Sequence, residues 1–234
     1  MHAWGAQVPA ECHEMMMPHF VSGSFWDRFG LPVYSRSVVP AQGTGKCRTH
    51  RRILQELQWK GPRGRWTLKS PEHLLDLPGL LEAYPDACLV QTHREPGSVL
   101  ASLASLVYTN RSMFAPDIDP IEVGRSVREL WGTAFERSAL DRNEPRIGAA
   151  SFDVSYRELL ANPFEVVRTI YERFDPVFTD DYRVALRSHL ERERTSRAAG
   201  GEHSYRATDF GLSRAELAEA FPTYRGRFGA LLTT

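Results

Sequence analysis

The hydrophobic pattern of the chain predicts an α/β fold. Three short apolar runs, at residues 66–68, 87–92 and 149–154, have the character of β-strands, and a segment compatible with a helix follows each run. The middle run lacks the alternation of a strand with one wet face, so we expect it to be buried on both faces. Parallel strands connected by helical crossovers fit this order best, and they predict a small parallel sheet with helices on both faces.

Longer stretches with helical periodicity surround these runs. We expect helices at residues 49–59, 121–140, 163–174 and 180–193, and shorter ones at residues 14–20 and 24–29. Ser213 and Glu216 have the spacing of a capping box, which predicts one more helix near the C-terminus. Four prolines interrupt residues 1–45, which we expect to form loops and short helices, followed by the α/β domain at residues 46–234. Overall we expect a single domain.

Composition excludes several classes of protein. The 234 residues are 42% hydrophobic and 25% charged, as in an ordinary folded protein rather than a fibre or a disordered chain. The 29 basic and 29 acidic residues give a net charge of zero, which does not support nucleic-acid binding. No apolar run is long enough to span a bilayer and no signal peptide is recognisable, so we expect a cytoplasmic protein without a membrane partner.

The three cysteines do not predict a metal site. Cys12, Cys47 and Cys88 are widely and unequally spaced, without a CxxC pair or the Cys/His spacing of a zinc finger. We therefore expect free thiols in a reducing compartment and no bound metal.

Lys69 is one of only three lysines, and it follows the first predicted strand directly. Ser70 can cap the next helix, and Pro71 suits the first position of that helix. We expect the ammonium group at the carboxyl edge of the sheet, beside the positive end of a helix dipole, where anions bind in open α/β sheets. The alternative is a lysine that extends from a surface loop into solvent.

Arg94 follows the second predicted strand in the same way, and Pro96 starts the next helix. At about 100° per residue, this helix has a narrow wedge of hydroxyl side chains beside an apolar stripe that we expect to face the core. The wedge contains Ser98, Ser102 and Ser105, and the stripe contains Val99, Leu103 and Leu106. A guanidinium group followed by small hydroxyls suits a phosphate that lies against the first two turns. The alternative is that the serines only allow close helix packing.

The two strand ends together resemble the sulfotransferase superfamily, especially its bacterial branch related to tyrosylprotein sulfotransferases. The resemblance runs through LKSPEHLLDLPGLLEAYPDACLVQTHREPGSVLASLASLVYTNRSMFA, then FDVSYRELLANPFEVVRTIYERF, then the tail EHSYRATDFGLSRAELAEAFPTY. These three separated motifs occur in the family's order and cover most of residues 46–228. The resemblance implies a P-loop-like α/β fold and 3′-phosphoadenosine-5′-phosphosulfate as the sulfuryl donor.

The resemblance also implies roles for individual residues. In the family, an arginine after a central strand and a serine eight residues later bind the donor's 3′-phosphate, and Arg94 and Ser102 match this spacing. A lysine after the preceding strand contacts the sulfuryl group and its leaving oxygen, which is the position of Lys69. A tyrosine that opens the segment before an Asn-Pro pair contacts the adenine, and Tyr156 matches it.

Two elements of the family match less well. The family's late basic loop closes over the nucleotide, and residues 194–201 resemble it loosely, with Arg197 as the expected nucleotide contact. The family also begins with a strand and a loop that grips the 5′-phosphosulfate, and no such unit precedes Lys69. The run GTGK at residues 43–46 is followed by Cys47 rather than Ser or Thr, so we interpret it as an ordinary loop. We therefore expect the sheet to lack the family's first strand.

The implied reaction transfers a sulfuryl group from the donor to a hydroxyl or amine of a small-molecule or peptide acceptor. Such a transfer needs positive charge at the leaving oxygen and a base within hydrogen-bond reach of the acceptor. His73 is our candidate base, and Glu72 and His93 are the other candidates. A histidine at a helix start and a glutamate near a helix dipole also have purely structural explanations.

The alternative function is a truncated, inactive remnant or a partner-binding module that keeps only the 3′-phosphate site. A sheet without its first strand exposes an edge that another chain can pair with. A homodimer or a complementing N-terminal fragment would then cover that edge.

Overall fold

The structure, a computed structural model, describes residues 10–37, 44–61, 64–174, 177–199 and 205–232, without the side chains of residues 35–37, 44 and 196–199. The α-helices of these residues are α1 (Cys12–Met16), α2 (Ser24–Phe29), α3 (Pro32–Ser37), α4 (Thr44–Gln58), α5 (Leu77–Ala83), α6 (Pro96–Ser112), α7 (Pro120–Asp141), α8 (Pro145–Ala150), α9 (Tyr156–Ala161), α10 (Pro163–Phe174), α11 (Asp180–Ala199), α12 (Arg214–Glu219) and α13 (Pro222–Phe228). Short 3-10 helices lie at Met17–His19, Pro71–Leu75, Ala207–Phe210 and Gly229–Leu231.

The sheet of the described residues is parallel, which confirms the predicted α/β class. Strand β1 (Leu89–His93) pairs with strand β2 (Ser151–Ser155), and the register places His93 opposite Ser155. Helices α6, α7 and α8 form the crossover between the two strands, as a parallel pair requires. Both strands therefore end at the same edge of the sheet.

The strand predicted at residues 66–68 is wrong. Residues 64–70 have no regular secondary structure, and the side chains of Trp66 and Leu68 are exposed. A strand needs a neighbour for its backbone groups, and β1 pairs with β2 alone among the described residues. Lys69 therefore does not follow a strand.

The expectation that β1 is buried on both faces is also wrong. The buried side chains are Gln91 and His93, whereas Thr92 is exposed and Val90 is 44% exposed. The side chains of β1 thus alternate between the interior and an open face. The sequence did not show this alternation, because the exposed position 90 is occupied by an apolar valine.

The predicted helices are mostly present, with shifted ends. The helix predicted at residues 14–20 is divided between α1 and a 3-10 helix, and α11 continues to Ala199. Helix α4 begins at Thr44, so the interpretation of GTGK as an ordinary loop is wrong for residues 44–46, which form its first turn. The predicted capping box is not formed either: the Ser213 side chain makes no capping hydrogen bond, and Glu216 extends to Arg128 of α7, 3.5 Å away.

The main hydrophobic core lies where α6 and α7 pack together and against the C-terminal segment. Helix α6 contributes Leu100, Ala104 and Val107 to this core, and these residues have the spacing of one helix face. Of the stripe predicted to face the core, Val99 and Leu103 pack against it as expected. The prediction is wrong for Leu106, which is 48% exposed, and Ser105 of the predicted hydroxyl wedge is buried. This core anchors the helix that begins directly after β1.

Candidate nucleotide-binding site

The ends of the two strands bring Arg94 and Tyr156 together. Arg94 follows β1, Tyr156 opens α9 directly after β2, and the last residues of the two strands, His93 and Ser155, are register partners. The Arg94 guanidinium carbon lies 5.2 Å from the centre of the Tyr156 ring, within the range of a cation–π contact. Arg94 is exposed and Tyr156 is partly exposed, so a ligand in solution can reach both. The residues expected to contact the phosphate and the adenine of one nucleotide are thus neighbours.

Helix α6 begins directly after Arg94, as the sequence predicts. Pro96 is its first residue, and the carboxylate of Glu95 accepts a hydrogen bond from the Gly97 backbone N–H at 3.5 Å. Ser102 lies about two turns into the helix and is half-buried. The positive end of the helix dipole lies beside Arg94 and favours an anion there, although the first-turn N–H groups already bond to Glu95.

Lys69 lies on an exposed segment outside the sheet, and its side chain is 64% exposed. Its ammonium group forms an ion pair with Glu11, and its backbone carbonyl accepts a hydrogen bond from the Cys12 N–H at 3.0 Å. The predicted helix start after it is present: the Ser70 hydroxyl accepts a hydrogen bond from the Glu72 N–H at 3.3 Å. No contact joins Lys69 to Arg94 within the part of the chain that the structure describes.

His73 belongs to a polar cluster between α4 and α5. Its ring centre lies 5.9 Å from that of His50, whose Nδ1 is 2.7 Å from the Tyr84 hydroxyl. Burial, and then the charges of His50 and Lys46, lower the pKa of His73 to about 4. Lys46 also pairs with Glu72 at 2.6 Å. The His73 imidazole is therefore neutral near pH 7.

The remaining predicted contact, Arg197, lies in α11. Its side chain falls outside the described residues, as do residues 200–204 of the predicted late loop. Within the described residues, no helix has both the length and the apolarity to cross a membrane, and no group of three or more His, Cys, Asp or Glu side chains is placed to hold a metal ion.

Comparison with known proteins assigns the family. The family model described as the sulfotransferase family matches residues 5–180, which is most of the chain. The chain belongs to the sulfotransferase family. This confirms the family resemblance that the sequence motifs carry.

Solved structures of two mycobacterial sulfotransferases have the same fold as this sulfotransferase chain. Sulfotransferase STF1 from Mycobacterium tuberculosis H37Rv is 28% identical, with a TM-score of 0.81 over 97% of this chain and 57% of that one. Sulfotransferase STF9 from Mycobacterium avium is 25% identical, with a TM-score of 0.81 over 95% of this chain and 56% of that one. The chain therefore spans little more than half the length of these relatives. A search of curated proteins found no match.

Behind the strand ends, this sulfotransferase carries a buried polar network that the sequence analysis missed. His93 is fully buried, and its Nε2 lies 2.8 Å from the Asp153 carboxylate of β2. Arg142 donates to Gln91 at 2.7 Å and to the same Asp153 oxygen at 3.4 Å. Burial opposes the ionised form of Asp153, but the hydrogen bond from His93 and the charge of Arg142 outweigh it and lower its pKa. The network ties β1 to β2 just before Arg94 and Tyr156.

One sequence signal pointed toward this network. Alternation along β1 predicts that His93 points away from Arg94, and the structure has His93 inside and Arg94 outside. The partner in β2 gave no such signal, because Asp153 lies between Phe152 and Val154 in an apolar run. Its role depends on the register of the two strands, which the sequence does not specify.

Proposed function

We propose that this sulfotransferase binds 3′-phosphoadenosine-5′-phosphosulfate in the cytoplasm and transfers its sulfuryl group to a hydroxyl or amine acceptor. The observation that carries the proposal is the contact between Arg94 and Tyr156 at the shared end of the two strands. An exposed guanidinium group beside an aromatic face offers one surface for a phosphate and another for a base.

The nucleotide end of the donor fits these residues. The Arg94 guanidinium carries a planar fork of donors that matches phosphate oxygens, and Ser102 adds a compact hydroxyl on the adjoining helix. The Tyr156 ring provides a flat apolar face for the adenine. Binding energy at this end orients the reacting end of the donor.

Lys69 is the proposed residue for the reacting end. The bridging oxygen of the donor gains negative charge as the sulfuryl group leaves, and an ammonium group stabilises that charge. Lys69 is exposed and already paired with the Glu11 carboxylate, so it has the mobility to exchange this partner for a sulfuryl oxygen. Glu11 holds the ammonium group until the donor arrives.

His73 is the proposed base for the acceptor. Its imidazole is neutral at pH 7 and so has a lone pair that can accept a proton, although a pKa lowered to about 4 makes it a weaker base than an ordinary histidine. The acceptor is a small molecule or a peptide that presents a hydroxyl or an amine.

The test is nucleotide binding by isothermal titration calorimetry. Recognition of the 3′-phosphate predicts that 3′-phosphoadenosine-5′-phosphate binds more tightly than adenosine-5′-phosphate, by about 1.5–3 kcal/mol for a hydrogen bond to a charged group. Transfer is then measured with radiolabelled donor and a panel of phenols, sugars and amines. Equal affinity for the two nucleotides contradicts the proposal.

A second candidate function, a module that needs a partner chain, is favoured by β1, which pairs with β2 alone among the described residues and has an open face. Parallel sheets are normally covered on both faces, yet Val90 and Thr92 of β1 are exposed. The solved relatives have more than two-fifths of their length outside the match, enough to supply further strands. Size-exclusion chromatography with mass measurement tests this candidate. A stable monomer that binds nucleotide contradicts it, and a dimer or a complex with an added N-terminal fragment supports it.

A further inference from the structure

Two consecutive residues of α13 form hydrogen bonds with His93 and Glu95, the residues directly before and after Arg94. The Tyr224 hydroxyl lies 2.8 Å from Nδ1 of His93, on one side of Arg94. The Arg225 guanidinium donates to both carboxylate oxygens of Glu95 on the other side, at 3.0 and 2.5 Å. Helix α13 lies outside the residues that the family model matches.

The hydrogen bonds on the His93 side form an ordered chain. An ionised Asp153 only accepts, so Nε2 of His93 must donate to it, and Nδ1 is then free to accept from the Tyr224 hydroxyl. Burial is the main cause that raises the pKa of Tyr224, so the hydroxyl keeps its proton and remains a donor. His93 and Tyr224 are 0% and 1% exposed, and the Phe228 ring lies 4.1 Å from the His93 ring. This side of Arg94 is therefore fixed by packing as well as by hydrogen bonds.

The contact on the Glu95 side reaches α6. Arg225 also donates to the backbone carbonyls of Leu217 and Ala220, so its fork is held in one orientation. The hydrogen bond from Arg225 is the main cause that lowers the pKa of Glu95, which keeps this carboxylate ionised. Because Glu95 is also the N-cap residue of α6, Arg225 fixes the first turn of the helix that carries Ser102.

We propose that Tyr224 and Arg225 are positioning residues for the nucleotide site, and this rests on the function proposed above. Arg94 is exposed and has a long, flexible side chain, so its orientation depends on the backbone from which it projects. Tyr224 and Arg225 fix that backbone on both sides and keep the guanidinium group over Tyr156. Helix α13 thereby sets the affinity of the site without touching the nucleotide.

The experiment uses the full chain with Arg225→Gln, Tyr224→Phe and Glu95→Gln. Each variant is titrated with 3′-phosphoadenosine-5′-phosphate and with adenosine-5′-phosphate, because only the first depends on Arg94. Arg225→Gln is expected to weaken binding of the 3′-phosphorylated nucleotide about tenfold, the cost of a charge-assisted pair. Tyr224→Phe is expected to weaken it about threefold. Adenosine-5′-phosphate should bind nearly as before.

The double variant with Glu95→Gln and Arg225→Gln should lose no more affinity than either single variant, because both substitutions break the same contact.

Two matched controls separate positioning from general stability. Tyr34→Phe removes a hydroxyl that donates hydrogen bonds to the backbone carbonyls of Phe20 and Ser22, away from the nucleotide site. Arg168→Gln removes an exposed ion pair with Glu165 on α10. Neither should change the ratio of the two affinities, even where the melting temperature falls. A ratio that stays at the wild-type value in Arg225→Gln and Tyr224→Phe overturns the proposal.

A ligand-free measurement distinguishes failure of this inference from failure of the proposed function. The Nε–H resonance of Arg94, identified by its loss in Arg94→Lys, should be shifted by the Tyr156 ring current in the wild type. Arg225→Gln and Tyr224→Phe should move it toward the value of a free arginine, with Tyr34→Phe leaving it in place. If the wild type shows no preference for the 3′-phosphorylated nucleotide, the proposed function fails. An unmoved Arg94 resonance in the α13 variants overturns the positioning role in either case.

Discussion

The guanidinium group of Arg94 lies over the ring of Tyr156, although the two residues are far apart in the sequence. Their contact follows from the parallel register of β1 and β2, because each is the first residue after a strand and the two strands end together. A one-residue change in register would direct one of the two side chains to the other face of the sheet. The hydrogen bond between the buried His93 and the partly exposed Asp153 joins the two strands in this register.

The first prediction concerns the aromatic face. Tyr156→Phe should keep nucleotide affinity close to the wild-type value, because the ring carries both the cation–π contact and the base contact. Tyr156→Ala should weaken binding of adenosine-5′-phosphate and of the 3′-phosphorylated nucleotide alike, by about 0.5–1 kcal/mol for an exposed contact. Titration calorimetry measures both. An affinity that Tyr156→Ala leaves unchanged shows that the base lies elsewhere.

Substitution of Lys69 should lower the rate of sulfuryl transfer without weakening nucleotide binding. Lys69→Ala removes the charge that stabilises the leaving oxygen, so the transfer rate should fall by about 10²–10³-fold. Affinity for 3′-phosphoadenosine-5′-phosphate, which has no sulfuryl group, should change little. Lys60→Ala, at an exposed position past the end of α4, is the matched control and should retain full activity. Equal transfer rates for Lys69→Ala and Lys60→Ala would show that Lys69 does not take part in the reaction.

The low pKa of His73 gives stability a defined pH dependence. The folded state keeps His73 neutral down to about pH 4, whereas the unfolded chain takes up a proton below the ordinary value of 6.5. The unfolded state thus binds more protons between these values, so the free energy of unfolding decreases as the pH falls from 6.5 to 4. His73→Gln should reduce this slope, measured by urea unfolding at several pH values. Some slope should remain, because burial lowers the pKa of His50 as well.

His189→Gln is the control for that measurement, since His189 lies on the exposed surface of α11. It should leave the slope unchanged. A His73→Gln variant with the wild-type slope shows that His73 is not held neutral in the folded protein.

Asp153 should matter more for stability than a surface carboxylate does. Asp153→Ala removes the acceptor of His93 Nε2 and the carboxylate that neutralises the buried Arg142, which then keeps only Gln91 as an acceptor. We expect it to lower the free energy of unfolding by about 2–3 kcal/mol. Asp180→Ala breaks an exposed pair with Arg183 and should cost less than about 0.5 kcal/mol. Similar losses in the two variants contradict the role of the network.

The sequence predicted the parts of the fold that depend on local signals. Pro96 and Ser70 marked helix starts correctly, and the spacing of Arg94 and Ser102 pointed to the family that the comparison then confirmed. These signals depend on the chemistry of a few adjacent residues, which the sequence displays directly.

The errors arose where tertiary partners decide the outcome. Residues 66–68 have the composition of a strand, but nothing in the described chain pairs with them, so Lys69 lies on an exposed segment instead. The hydrogen bonds from Tyr224 to His93 and from Arg225 to Glu95 join segments that are about 130 residues apart in the sequence. No periodicity or motif predicts such a pairing.

The most direct measurement is the ratio of affinities for 3′-phosphoadenosine-5′-phosphate and adenosine-5′-phosphate in Arg94→Ala and in the wild type, with Arg168→Ala as the control. If Arg94 holds the 3′-phosphate, the wild type and Arg168→Ala should show a marked preference for the 3′-phosphorylated nucleotide, and Arg94→Ala should bind the two nucleotides with nearly equal affinity. A preference that survives in Arg94→Ala contradicts this role, because the 3′-phosphate would then be recognised by other residues.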